Sequence, residues 1–171
     1  YMVKPGIPKW AVYGDREHRR NLITSIQLQE EDLERFNQHL EDKYQAMKAE
    51  ARAESYLAAD AEVVLVAGNT PARAAKGSVK SLREMGIKAG LFRPITIWPF
   101  PVAQLAALLP TARHIVVVEA NAGGQIEDEL RLNMSQAGVE KLPPITHVRR
   151  FGGMLPAQSE IVAHVKSILG K

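Results

Sequence analysis

The chain has 171 residues, 46% of them hydrophobic and 24% charged, with a formal net charge of +3. A chain this long buries roughly 70% of its unfolded surface, and its composition excludes wholly disordered and collagen-like proteins. Cysteine is absent, which removes disulfides, thiolate metal sites, iron–sulfur ligation and cysteine nucleophiles from this chain.

Residues 1–27 read as an irregular arm or linker. Pro5, Gly6, Pro8 and Gly14 interrupt any regular period. Asp15 to Arg20 is a dense polar cluster that includes His18. It is either a solvated loop or an arm lying on another subunit. Residues 28–58 read as one long amphipathic helix. From residue 29 onward, Leu33, Phe36, Leu40, Tyr44, Met47, Ala51 and Leu57 form one apolar stripe among Glu, Lys, Arg and Gln. Such a helix is about 45 Å long, more than one small domain covers. It is expected to pack partly against a partner as an assembly element; a simple surface helix is the other reading.

Residues 59–171 change rhythm. Glu62 to Ala67 reads as a buried strand ending at Gly68, and Thr70 to Met85 as a helix with Thr70 as N-cap and Gly86 as stop. Ile87 to Phe92 is a second strand and Pro101 to Leu109 a short helix. His114 to Glu119 is a third strand, and Gly124 to Ala137 a helix stopped by Gly138. Ile145 to Arg149 is a fourth strand and Pro156 to Leu169 the closing helix. Continuous apolar strands alternating with amphipathic helices predict an α/β fold. Its form is a three-layer, doubly wound, mostly parallel sheet.

Loops after the carboxyl ends of such strands gather on one edge, where ligands or partners dock. Four segments are expected to meet there as one contiguous surface. They contain Asn69 and Thr70; Arg93, Pro94, Trp98 and Phe100; Glu119, Asn121, Gly124 and Gln125; and Gly152 and Gly153. His18 of the arm is a further candidate for the same edge. Asn121 to Gln125 open a helix whose free amides favour an anion; alternatively the glycines make the turn and Asn and Gln satisfy backbone groups. Trp98 and Phe100 on a proline-stiffened loop suit an interface hot spot, or they pack under their own helix. Glu119 is a candidate general base, or a buried carboxylate paired to an arginine. No nucleotide fingerprint, GxSxG elbow or paired-histidine metal motif occurs. Catalytic, cofactor-binding and metal residues are therefore each expected to be none. The chain has neither an apolar run of membrane-span length nor a basic block with interleaved aromatics. The expectation is a cytoplasmic protein without membrane or nucleic-acid partners.

The run Gly86-Ile87-Lys88-Ala89-Gly90-Leu91-Phe92-Arg93-Pro94-Ile95-Thr96-Ile97-Trp98-Pro99-Phe100-Pro101 resembles the alpha-type subunit of 2-oxoacid:ferredoxin oxidoreductases. Val116 to Gln125 and Gly152 to Pro156 continue the resemblance in order. Gly14 to Arg19 and Phe36 to Tyr44 are most similar to the 2-oxoisovalerate members. The resemblance implies oxidative decarboxylation of a branched-chain 2-oxoacid to an acyl-CoA. The complete enzyme would use thiamine diphosphate, magnesium and iron–sulfur clusters, none of them held by this chain. It further implies a domain like the C-terminal domain of transketolase, inactive alone. Its partners would be an N-terminal domain of the same subunit, a thiamine diphosphate-binding subunit, and gamma-type and ferredoxin-like subunits. Self-association as a homodimer also stays open. The family reads Asn-x-Gly-Gln where this chain has Asn121-Ala122-Gly123-Gly124-Gln125, which leaves the family role of Gln125 open. A free-standing α/β binding module for a small anion is the alternative reading.

Overall fold

The computed structural model describes residues 6–23 and 26–171. Residues 1–5 and 24–25 of the expected arm, including Pro5, lie outside the described residues. The chain forms two compact units, one through Ala46 and one from Met47 to Lys171.

In the N-terminal unit the arm is irregular, as its glycines and prolines require, and closes on itself locally. The Asn21 side-chain amide donates to the carbonyls of Lys9 (2.6 Å) and Ala11 (2.9 Å). A 3-10 turn spans His18–Asn21. Helix α1 covers Glu30–Met47 and starts with Glu30, Glu31 and Asp32, acids that complement the positive end of the helix dipole. None of its residues is buried.

The helix expected over 28–58 ends at Met47. A short 3-10 turn, Lys48–Glu50, follows, and Ala53–Tyr56 form strand β1. The other elements of this unit are β2 (Val63–Val66), α2 (Asn69–Glu84), β3 (Ala89–Pro94), α3 (Val102–Ala106), β4 (His114–Glu119), α4 (Gln125–Gln136), β5 (Ile145–Arg149) and α5 (Gln158–Ile168). Strand order is β1-β3-β2-β4-β5. All neighbours are parallel except β1, which runs antiparallel to β3 with Ala53 opposite Pro94 and Tyr56 opposite Leu91. That pairing overrides the helical preference of the Ala- and Glu-rich run before residue 57. The turn into it is pinned because Ile95 N–H (2.9 Å) and Thr96 N–H (3.2 Å) both donate to the Arg52 carbonyl. The sheet thus begins six residues before the domain boundary expected at residue 59.

Successive strand residues point to opposite faces, and the core divides accordingly. Val63, Leu65, Leu91, Val116 and Val118 pack under α2 and α5 through Ala75, Val79, Leu82, Ile161 and Val165. Val64, Val66, Phe92, Ile115 and Val117 pack on the other face with Leu105, Leu130 and Met134. The three-layer, doubly wound arrangement follows from the central strands β2, β3 and β4, which are buried at nearly every position. Helix α2 starts at Asn69 with Gly68 as its N-cap, one residue ahead of the expected start. The N-cap role expected of Thr70 is therefore displaced.

Candidate functional site

The sheet changes winding direction between β2 and β4, and the loops after these two strands flank a cavity of about 350 Å³. Asn69 and Thr70 line it from one side, and Glu119, Asn121 and Gln125 from the other, with Leu155 reaching in from the loop after β5. Arg93 shares a neighbouring cavity of about 460 Å³ with Asn69 and Thr70. Gly152 and Gly153 form an exposed turn beside exposed Phe151 and Met154.

Trp98 does not join this edge. It lines a separate cavity of about 470 Å³ with Asn133, Gln136 and Ala137, at the end of α4 opposite Gln125. The expected single surface running from Asn69 through Trp98 to Gln125 is therefore divided. After buried Pro94 the chain is drawn away from the edge to the Arg52 carbonyl, and Phe100 is inserted into the core beside Leu105. Phe100 is 4% exposed, so it packs under its own helix, whereas Trp98 is 51% exposed. His18 belongs to the N-terminal unit. There Asp15 accepts its backbone N–H (2.8 Å) and lies 2.7 Å from its Nδ1. The His18 backbone donor, with the imidazole beside it, holds the Asp15 carboxyl below its ordinary range.

Glu119 terminates β4 and is fully buried. Its carboxylate accepts the N–H groups of Ile126 (2.8 Å) and Glu127 (3.4 Å) and the Asn121 side-chain amide (3.0 Å). The amide of Gly124 donates to Asn121 Oδ1 at 2.6 Å. The protein's own carboxylate thus occupies the anion position at the α4 N-terminus. The arginine partner considered for Glu119 belongs instead to Glu127, in the first turn of the helix.

Glu127 is buried and accepts from Arg149 Nη2 (2.6 Å) and from Arg131 (2.7 Å), with His147 Nδ1 at 3.4 Å. Burial pushes its carboxyl upward, but the Arg131 and Arg149 hydrogen bonds and charges outweigh that and hold it below its ordinary range. Arg149 lies against Gly124, where φ is +74° and a Cβ would overlap the guanidinium. Sequence reading missed this network. Its one legible trace was the i,i+4 spacing of Glu127 and Arg131.

This is a doubly wound α/β domain whose strand-end edge is shaped by polar loops around the point of reversal. Similar folds occur in the 2-oxoglutarate:ferredoxin oxidoreductase from Magnetococcus marinus, with TM-score 0.63 and 20% identity over 82% of this chain and 24% of that one. A split gene transketolase is also similar, with TM-score 0.58 and 20% identity over 70% of this chain and 41% of that one. Residues 61–161 match the family described as pyruvate:ferredoxin oxidoreductase core domain II, and the chain belongs to that family. It is 39% identical to the ketoisovalerate oxidoreductase subunit VorB of Methanothermobacter marburgensis over 95% of its own length and 44% of that subunit's. It is 36% identical to the 2-oxoglutarate synthase subunit KorA of Methanocaldococcus jannaschii over 60% of its length and 26% of that subunit's. The chain therefore spans less than half the length of these relatives. The resemblance carried by Gly86 to Pro101 and the motifs after it is borne out.

Proposed function

We propose that this chain is the assembly domain, with its preceding arm and helix, of the alpha-type subunit of a 2-oxoacid:ferredoxin oxidoreductase. Its substrate in this reading is a branched-chain 2-oxoacid, oxidised to an acyl-CoA in the cytoplasm. The observation that carries the reading is how far the likeness extends. Two ketoisovalerate-type subunits align over 95% and 94% of the chain, and four 2-oxoglutarate synthase subunits over 60–70%. The longer match takes in residues of the arm and α1, beyond the 61–161 core.

The chemistry itself falls to other parts of the enzyme. Iron–sulfur clusters need thiolates, and the chain has no cysteine. A diphosphate is not accommodated at the α4 N-terminus, whose amides Glu119 already holds. Among the described residues no group of three or more His, Asp or Glu is placed to hold a metal ion. The α4 N-terminus does not fit the diphosphate, and the chain offers no thiolates for a cluster. These cofactors are assigned to the thiamine diphosphate-binding, gamma-type and ferredoxin-like subunits and to the N-terminal domain. This domain contributes docking surface. No described helix is long and apolar enough to cross a membrane.

The test is dye or ferredoxin reduction by the complete enzyme in the presence of coenzyme A. Turnover efficiency is expected to be higher with 2-oxoisovalerate than with 2-oxoglutarate, and the reverse order overturns the type assignment. Calorimetry of the 171-residue chain with thiamine diphosphate and magnesium is expected to show no micromolar binding. Micromolar binding, about −8 kcal/mol, would overturn the division of labour.

A further inference from the structure

We infer that the cavity between α2 and the β1–β3 edge is a binding site for a phosphate or diphosphate group of a small soluble molecule. This inference does not rest on the oxidoreductase reading. Thr70, Arg73 and Lys76 follow one another at i,i+3 along α2, so they share one helix face. That face and Arg93 of β3 line a cavity of about 460 Å³, within the ordinary range for small-ligand sites.

The charges do not cancel. Glu54 of β1 is the single carboxylate lining this cavity; it lies 3.0 Å from Arg93 Nη1 and 3.6 Å from Lys76 Nζ. Three cations against one anion leave a formal excess of two positive charges. Arg73 has no ion pair among the described residues. Arg93 Nε is buried without a hydrogen-bond acceptor among them, a donor whose desolvation is uncompensated. Lys76 is also fixed in place, its ammonium 4.7 Å from the centroid of the Tyr56 ring.

The α2 N-terminus adds to this cationic set. The α4 amides are held by Glu119, and Glu160 accepts the Ala157 N–H at the start of α5 (3.0 Å). At α2, Gly68 as N-cap brings no side chain to the Asn69 and Thr70 amides, while Pro71, in the place Glu127 holds in α4, has no N–H to offer. Two guanidinium groups, an ammonium and a hydroxyl around a concave site suit a compact, multiply charged oxyanion with many acceptor lone pairs.

The experiment titrates the 171-residue chain with pyrophosphate and with inorganic phosphate, followed by amide chemical shifts. Shifts are expected to concentrate at residues 69–76 and Arg93. Arg73→Gln and Lys76→Gln are each expected to weaken binding about tenfold. Arg73→Gln should leave the melting temperature unchanged, since its side chain is exposed. Glu54→Gln should tighten binding severalfold by removing the competing carboxylate. Any of three results would overturn the inference: no saturable shift at about 10 mM ligand, equal weakening by the distant Lys141→Gln, or tighter binding of an acidic peptide than of pyrophosphate.

Discussion

Gly124 lies where two constraints meet. Its φ of +74° is one that side-chain-bearing residues rarely adopt, and its missing Cβ is the space Arg149 occupies. Gly124→Ala therefore strains the backbone and displaces the guanidinium from Glu127. A loss of about 2–4 kcal/mol is expected in urea unfolding. Glu127→Gln keeps the shape but leaves Arg149 and Arg131 without their counter-charge, at a cost of about 2–3 kcal/mol near neutral pH. The sign of the pH dependence follows from the depressed carboxyl. Its stabilisation is fully present above the unfolded value of about 4.3 and is lost as pH falls through the lower folded value. The gap between wild type and Glu127→Gln is thus expected to close on acidification below about pH 4. A gap constant from pH 7 to pH 3 would show that the carboxylate's charge contributes nothing.

Among the elements, β4 falls where its sequence places it because Ile115 to Val118 are a distinct apolar run, and β5, Ile-Thr-His-Val-Arg, because Pro143-Pro144 and Gly152-Gly153 bracket it. The helices after β2 and β4 were equally legible, to within a residue or so, from glycine and proline punctuation. Strand β1 was not legible. Its Ala-Glu-Ser-Tyr continues a helix-forming run, and only the pairing with β3 makes it a strand. The candidate site divides along the same line. Which loops lie at the strand ends could be read from topology. The departure of Trp98 from that edge could not, because it depends on the Arg52 carbonyl and the burial of Phe100. Gly90 tests the β1 junction. A Cβ there would lie 2.6 Å from both Ala58 Cα and the Leu57 carbonyl oxygen and 2.9 Å from Ala61 Cβ. Those are mostly backbone atoms with little freedom to move. Gly90→Ala is expected to cost at least about 2 kcal/mol, and a melting temperature within a degree or two of wild type would contradict this crossing.

At the scale of the whole molecule, the two units differ in what holds them. The C-terminal unit has a continuous core on both sheet faces. The N-terminal one exposes Trp10, Ile23, Ile26 and Leu28, and α1 contains no buried residue. An 18-residue helix without a buried face lacks the tertiary packing that supplies most helical stability in proteins. Amide exchange in the 171-residue chain is therefore expected to be fast over residues 30–47 and slow over β2 and β4. Uniform protection would mean that the chain covers this helix by self-association, as its apolar stripe suggested.

The antiparallel seat of β1 also determines where the chain tolerates being cut. A polypeptide starting at residue 59 would keep every parallel strand and most of both cores, losing buried Ala58 and the flanking Ala53 and Tyr56. It would leave the outer backbone groups of β3, from Ala89 to Pro94, bare at a flat apolar margin. Such a margin templates further strands from neighbouring molecules. A 59–171 fragment is expected to elute as large aggregates in size-exclusion chromatography, whereas a 47–171 fragment retains its own terminating strand and is expected to elute as a discrete species. Ala53–Tyr56, poor in strand formers and carrying Glu54, thus serve as a stopper against open-ended sheet growth.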